Sequence, residues 1–83
     1  MPDKIIGRVT HCYNKISVAV IALMDELKVG DRIEFVHHKN VFEQTVKSIE
    51  LDHKKKEIAY PGDEIAIKTE EVTHKNAVIF KVE

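Results

Sequence analysis

At 83 residues, with 13 Lys and Arg against 14 Asp and Glu, the chain carries a formal net charge of −1. Bulk charge therefore argues against strong nonspecific attraction to nucleic acid and leaves only local patches for that purpose. A chain this short buries only about 60% of its unfolded surface, which is enough for one modest core in a single domain over residues 1–83 but not for a deep active site as well.

Residues 4–13 alternate loosely, with Ile5, Gly7, Val9 and His11 on one face and Ile6, Arg8, Thr10 and Cys12 on the other, and read as a first strand. Gly7 weakens a strand unless a bulge, a bend or a close backbone approach uses its missing side chain. Tyr13-Asn14-Lys15 supplies a turn, with Asn14 suited to positive φ. The β-branched density of Ile16 to Leu23 favours a second strand over a helix through Ala19 to Lys28, and Met24 to Leu27 has the composition of one helical turn.

Leu27-Lys-Val-Gly-Asp31 reads as a turn feeding a strand at Arg32 to Val36, with Ile33 and Phe35 on its inner face. His37-His38-Lys39-Asn40 is a polar hairpin loop. Phe42, Gln44 and Val46 then share a face. Ile49 and Leu51 have the opposite parity, which predicts a bulge or bend near Lys47 and Ser48. Asp52 to Glu57 reads as a charged loop, Ile58-Ala59 as a short strand, and Tyr60-Pro61-Gly62-Asp63 as a type II turn into a strand at Glu64 to Ile67. Glu70 to Asn76 is a polar connection. The last strand puts Val78, Phe80 and Val82 inward and Ile79 and Lys81 outward. Short strands punctuated at regular spacing predict an all-β fold, a small closed six- or seven-stranded β-barrel.

The motifs that carry chemistry elsewhere are weak here. The glycines are Gly7, Gly30 and Gly62, and none opens a phosphate-binding loop, so nucleotide hydrolysis is not expected. His11 beside Cys12, and His37 beside His38, point to opposite faces of a strand, and no metal or other cofactor is expected. Cys12 lacks the spacing of an activated nucleophile and reads as an inert, partly buried thiol. Asp31 and Asp63 follow turn glycines and are read as local hydrogen-bond acceptors. The lone cysteine, the absence of a cationic leader and the lack of a long apolar run predict a cytoplasmic protein with no membrane segment.

Two basic groups remain as candidate contact residues for RNA or another partner: His37, His38 and Lys39 in one loop, and Lys54, Lys55 and Lys56 in another. Only Tyr13 and Tyr60 are expected to be exposed among the aromatics, so base stacking has little to work with. Val36, Ile6 and Ile79, read as outward-facing, would offer an apolar contact to a protein.

Ile6 to His11, Leu27 to Asp31, Phe42-Glu43-Gln44-x-Val46-x-Ser48, Gly62-Asp63 and Val78 to Val82, in this order, resemble the second-domain β-barrel of translational GTPases such as elongation factor Tu. More narrowly, the chain is identified with the free-standing translation elongation factor-like proteins, which consist of that barrel alone. The resemblance implies a noncatalytic module that contacts ribosomal or transfer RNA, the ribosome or a translation protein. A related barrel ends the collagenase-like peptidases as an accessory domain, and implies instead a protein-interaction subunit. Relatives of the elongation-factor type carry a glycine in the loop occupied here by His37 to Asn40, a methionine at Ile49 and a glycine at Ala66.

Overall fold

The computed structural model describes residues 4–82. These fold as ten strands: β1 (Lys4–Tyr13), β2 (Val18–Leu23), β3 (Leu27–Lys28), β4 (Arg32–His37), β5 (Asn40–Thr45), β6 (Ile49–Leu51), β7 (Lys54–Lys56), β8 (Ile58–Ala59), β9 (Glu64–Lys68) and β10 (Val78–Val82). The main sheet runs β5-β4-β10-β1-β2-β9-β6-β7, and β3 pairs with β8 as a separate ribbon. The all-β expectation holds. The closed six- or seven-stranded barrel does not, because the backbone ladder of the eight-stranded sheet ends at β5 on one side and β7 on the other.

Two turns of the same construction set the path of the chain. Lys28-Val29-Gly30-Asp31 closes with the Asp31 N–H donating to the Lys28 carbonyl at 3.1 Å, and Tyr60-Pro61-Gly62-Asp63 with the Asp63 N–H donating to Tyr60 at 3.0 Å. Each glycine has positive φ, +99° at Gly30 and +93° at Gly62. In each turn the aspartate carboxylate accepts the N–H of the turn's first residue at 2.9 Å, Lys28 in one case and Tyr60 in the other. The match extends further. Gly30 donates to the Val46 carbonyl while Val46 donates back to Asp31, and Gly62 donates to the Leu23 carbonyl while Leu23 donates back to Asp63. The ribbon strands β3 and β8 lead directly into these turns and pair with each other, Leu27 opposite Ala59 and Lys28 opposite Ile58. The two halves are thus tied by equivalent bonds, and both aspartates bond locally as their sequence positions imply.

One core of sixteen buried apolar residues, among them Phe35, Ile21, Ile33, Ile65 and Ile67, fills the interior. Phe35 and Phe42 face each other across β4 and β5 with ring centroids 4.7 Å apart, stacked, as alternation along those strands requires. The inward sets of β1 and β10 differ from their sequence pattern. Ile6 and Ile79, expected outside, are fully buried, whereas Val78, Phe80 and Val82 are half-buried. On β1 the cause is a bulge: Ile5 pairs with Phe80 and Gly7 with Ile79, so Ile6 is the extra residue and the parity changes there. β10 keeps an unbroken register with β4, and Ile79 faces inward opposite the buried Phe35. A second shift lies between Val9 and His11 on the β2 side. An apolar contact surface built on Ile6 and Ile79 is therefore ruled out by their burial, and Val36 is half-buried.

Other differences are local. Ile16 lies in the turn before β2 and is exposed, and residues 24–27 form no helical turn, since Leu27 begins β3. The break after Thr45 separates β5 from β6 at Val46 to Ser48, where the parity change predicted it. The charged stretch Asp52 to Glu57 is a hairpin rather than a loop: Asp52 and His53 both take positive φ, 52° and 65°, and Leu51 pairs with Lys54. Positive φ at both central residues is the geometry a two-residue hairpin turn needs, even without glycine.

Gly7 and Gly30 are constrained in different ways, and denaturation should separate them. A Cβ on Gly7 would meet the Ala22 carbonyl oxygen at 2.7 Å, whereas one on Gly30 meets nothing within 4 Å. Gly30→Ala should cost about 1 kcal/mol from φ alone, and Gly7→Ala about 2–3 kcal/mol because backbone must move. Urea midpoints that put Gly30→Ala at or below Gly7→Ala in stability would contradict this ordering.

Candidate binding cleft at the sheet seam

The chain runs from β5 to β6 through Val46 to Ser48, so β5 borders β4 on one side while β6 pairs with β9 on the other. Ile49 and Glu50 pair with Ile67 and Ala66. Followed away from that pair, β5 and the residues after β9 diverge, and no ladder continues between them. The buried Gln44, 3% exposed, spans the gap. Its amide nitrogen donates to the Lys68 carbonyl at 2.7 Å and its oxygen accepts the Glu70 N–H at 2.9 Å. This makes both bonds that a backbone residue would have made. Lys47 and Glu70 add an exposed ion pair at 3.7 Å, which contributes little by itself.

Beyond Gln44 the seam opens into a cleft of about 600 Å³ lined by Lys39 to Phe42 on one bank and Glu71, Val72 and His74 on the other. The second bank is fixed from behind. Asn14 donates to the Thr73 carbonyl at 3.3 Å, the Asn76 N–H donates to Val9, and the Thr69 N–H donates to Ser17. At the hairpin end Asn40 Nδ2 and His74 Nε2 lie 3.1 Å apart and close the mouth. Val41 and Val72, on opposite banks, are both exposed, at 53% and 62%.

Of the candidate residues, His37, His38 and Lys39 stand at this end of the cleft, where the His37 ring lies 4.4 Å from His38 and 4.8 Å from His74 between centroids. Desolvation, reinforced by the charges of His38 and His74, lowers the pKa of His37 below the ordinary imidazole value. His74 and Asn40 belong to the same group, and their separation of 34 positions hides that contact at the level of sequence. Lys54, Lys55 and Lys56 do not join it. They form the edge strand β7, with Lys55 opposite Glu50 and its two neighbours on the other face, and Lys55 and Lys56 line a different cleft with Val29, Lys47 and Ser48. Lysines along a sheet edge discourage pairing with another chain, and that is sufficient reason for them. Among the described residues no group of three His, Cys, Asp or Glu side chains is placed to hold a metal, and no helix is long and apolar enough to cross a membrane.

Two substitutions test the seam. Gln44→Leu keeps the volume but leaves the Lys68 carbonyl and the Glu70 N–H without a partner, and should cost about 2–4 kcal/mol in urea denaturation. A loss under about 0.5 kcal/mol would mean that water replaces the amide freely. For His37 the unfolded chain takes up the proton first as pH falls, so the stability it contributes is complete above the ordinary imidazole pKa and is lost as pH drops through the lowered one. Between about pH 7.5 and 5.5 the wild-type urea midpoint should therefore fall more than that of His37→Gln. Equal slopes would remove His37 as the cause.

No family model matches the chain. Over 64 residues, 76% of its length, it is 42% identical to an uncharacterized protease, MJ0090, of Methanocaldococcus jannaschii, of which it spans only 16%. Its fold superposes on the crystal structure of the C-terminal domain of a Geobacillus thermoleovorans protein assigned to the U32 peptidases, with a TM-score of 0.90, 17% identity, and coverage of 96% of this chain and 93% of that one. A selenomethionine variant of the same domain gives a TM-score of 0.88 at 17% identity, covering 94% and 99%. These findings overturn the identification with translation elongation factor-like proteins, and with it the expectation of RNA binding and a role in translation. The Gly-Asp turns on which that resemblance rested specify the path of the chain and not its partner. The fold is like that of a U32 peptidase C-terminal domain and the sequence is similar to a protease, which agrees with the second of the two relationships the sequence raised rather than the first.

Proposed function

We propose that the chain is a noncatalytic accessory module that binds a protein partner, a peptidase of the U32 type. The observation that supports this most is the 42% identity to a protease together with a fold like that of a peptidase C-terminal domain. The segment that matches corresponds to an end domain in fold, not to a whole enzyme. Near-neutral charge, −1 overall, suits a protein partner, and a lone half-buried cysteine, Cys12, suits a reducing compartment. Cys12 has the Asn14 amide 3.9 Å from its sulfur, a donor that would hold a thiol in place and could not take its proton.

Affinity purification of the tagged chain from its native cells, with nuclease treatment of the bound fraction, tests this reading. A peptidase chain should remain bound after the nuclease. Recovery that disappears with the nuclease, or a bound fraction without any peptidase, would contradict it.

A further inference from the structure

The cleft at the seam has a backbone on one bank with bonds to offer. The hairpin between β4 and β5 turns on two residues, His38 and Lys39, and closes with the pair His37 and Asn40. A closing pair exchanges both of its hydrogen bonds, and the next pair, Val36 and Val41, exchanges none. The N–H and C=O of Val41 therefore point away from β4, and by the same alternation so do those of Glu43. Among the described residues no second strand borders β5 in the sheet. Most sheet edges are protected by charge, as β7 is by its three lysines. On β5 the cleft is lined by an exposed valine, Val41, and the far bank carries a second, Val72.

The charges along the cleft are unequal at its two ends. His37, His38, Lys39 and His74 gather at the hairpin end, while Glu71 lines the end nearer Gln44. At a rise of about 3.3 Å per residue, the bank from Lys39 to Phe42 matches three or four residues of extended chain. We infer that the cleft between β5 and residues 71–74 receives an extended peptide segment of a protein partner, which pairs with the free edge at Val41 and Glu43, seats an apolar side chain between Val41 and Val72, and carries an acidic residue at the hairpin end. Backbone pairing supplies the affinity, and the valine pair and the basic end supply the selection. To admit the segment the Asn40 contact to His74 must open, which costs one exposed hydrogen bond. The inference rests on the protein-partner reading above but does not require that the partner be a peptidase.

An acetylated and amidated peptide, Asp-Val-Thr-Val-Thr, titrated into the isotope-labelled chain and followed by amide chemical shifts, tests it directly. Shifts should concentrate at residues 39–45 and 71–74. Replacing the peptide's Asp with Lys should weaken binding about tenfold. Val41→Pro removes the outward N–H without breaking a bond to β4, and Lys39→Glu reverses the basic end; each should also weaken binding about tenfold, with the surface variant Lys39→Glu guarding against any misfolding of the proline variant. Absence of shifts at millimolar peptide, shifts confined to Lys54 to Lys56, or unchanged affinity in both variants would overturn the inference. Retention of a co-purified peptidase together with unchanged peptide affinity in both variants would overturn the cleft while leaving the accessory role intact, whereas peptide binding without any peptidase in the cell would sustain the cleft and remove the accessory role.

Discussion

Where β5 and the end of β9 approach each other no backbone ladder joins them, and the amide of Gln44 makes the two bonds that a ladder would have made. A glutamine can do this because its side chain carries a donor and an acceptor in one plane, the same complement as a peptide group. It does so at 3% exposure, where an unpaired amide or carbonyl would be costly. On one side of that bridge the strands pair through Ile49 and Ile67; on the other they separate into the cleft. The bridge therefore marks where backbone pairing stops and the cleft begins.

The ends of the sheet can be held this way because the rest of the chain is tightly tied. The turns at Gly30 and Gly62 make matching sets of bonds, to Val46 and to Leu23, and the short strands before them pair with each other. Val46 directly follows β5, so the first turn anchors the strand that carries Gln44 within two residues of it. The opposite bank is pinned to Val9, Asn14 and Ser17. Two walls fixed independently, with one side chain between them at the base, bound the cleft, and the Asn40 contact to His74 closes its mouth.

Much of this fold was legible in the sequence, for physical reasons that differ by residue. Gly30 and Gly62 announced positive φ, and their aspartates the bonds that close each turn, because those requirements are local. The parity change between Val46 and Ile49 located the break between β5 and β6. Ile6 was assigned to the wrong face because a bulge against β10 changes the parity of β1, and Ile79 because β10 is apolar on both faces and takes its phase from Phe35 on β4, which no pattern within either strand alone reveals. Lys54 to Lys56 read as a loop because charge outweighed the hairpin geometry that Asp52 and His53 adopt without glycine. Of the candidate site, His37, His38 and Lys39 were visible as a basic hairpin, but His74, Asn40 and the bridging role of Gln44 required the fold, since their partners lie 24 to 34 positions away. The family resemblance failed in an instructive way. The motifs it rested on belong to the turns and the core, which related folds share, while partners are chosen at the edges and loops.

Native-state hydrogen exchange at the seam tests the central claim most directly, because it reads both banks in one experiment. If Gln44 replaces the ladder and β5 beyond it is unpaired, the Glu70 N–H should be protected to nearly the extent of the core strands, and the N–H groups of Val41 and Glu43 should exchange with little protection. Strong protection at Val41 and Glu43, or free exchange at Glu70, would contradict the account.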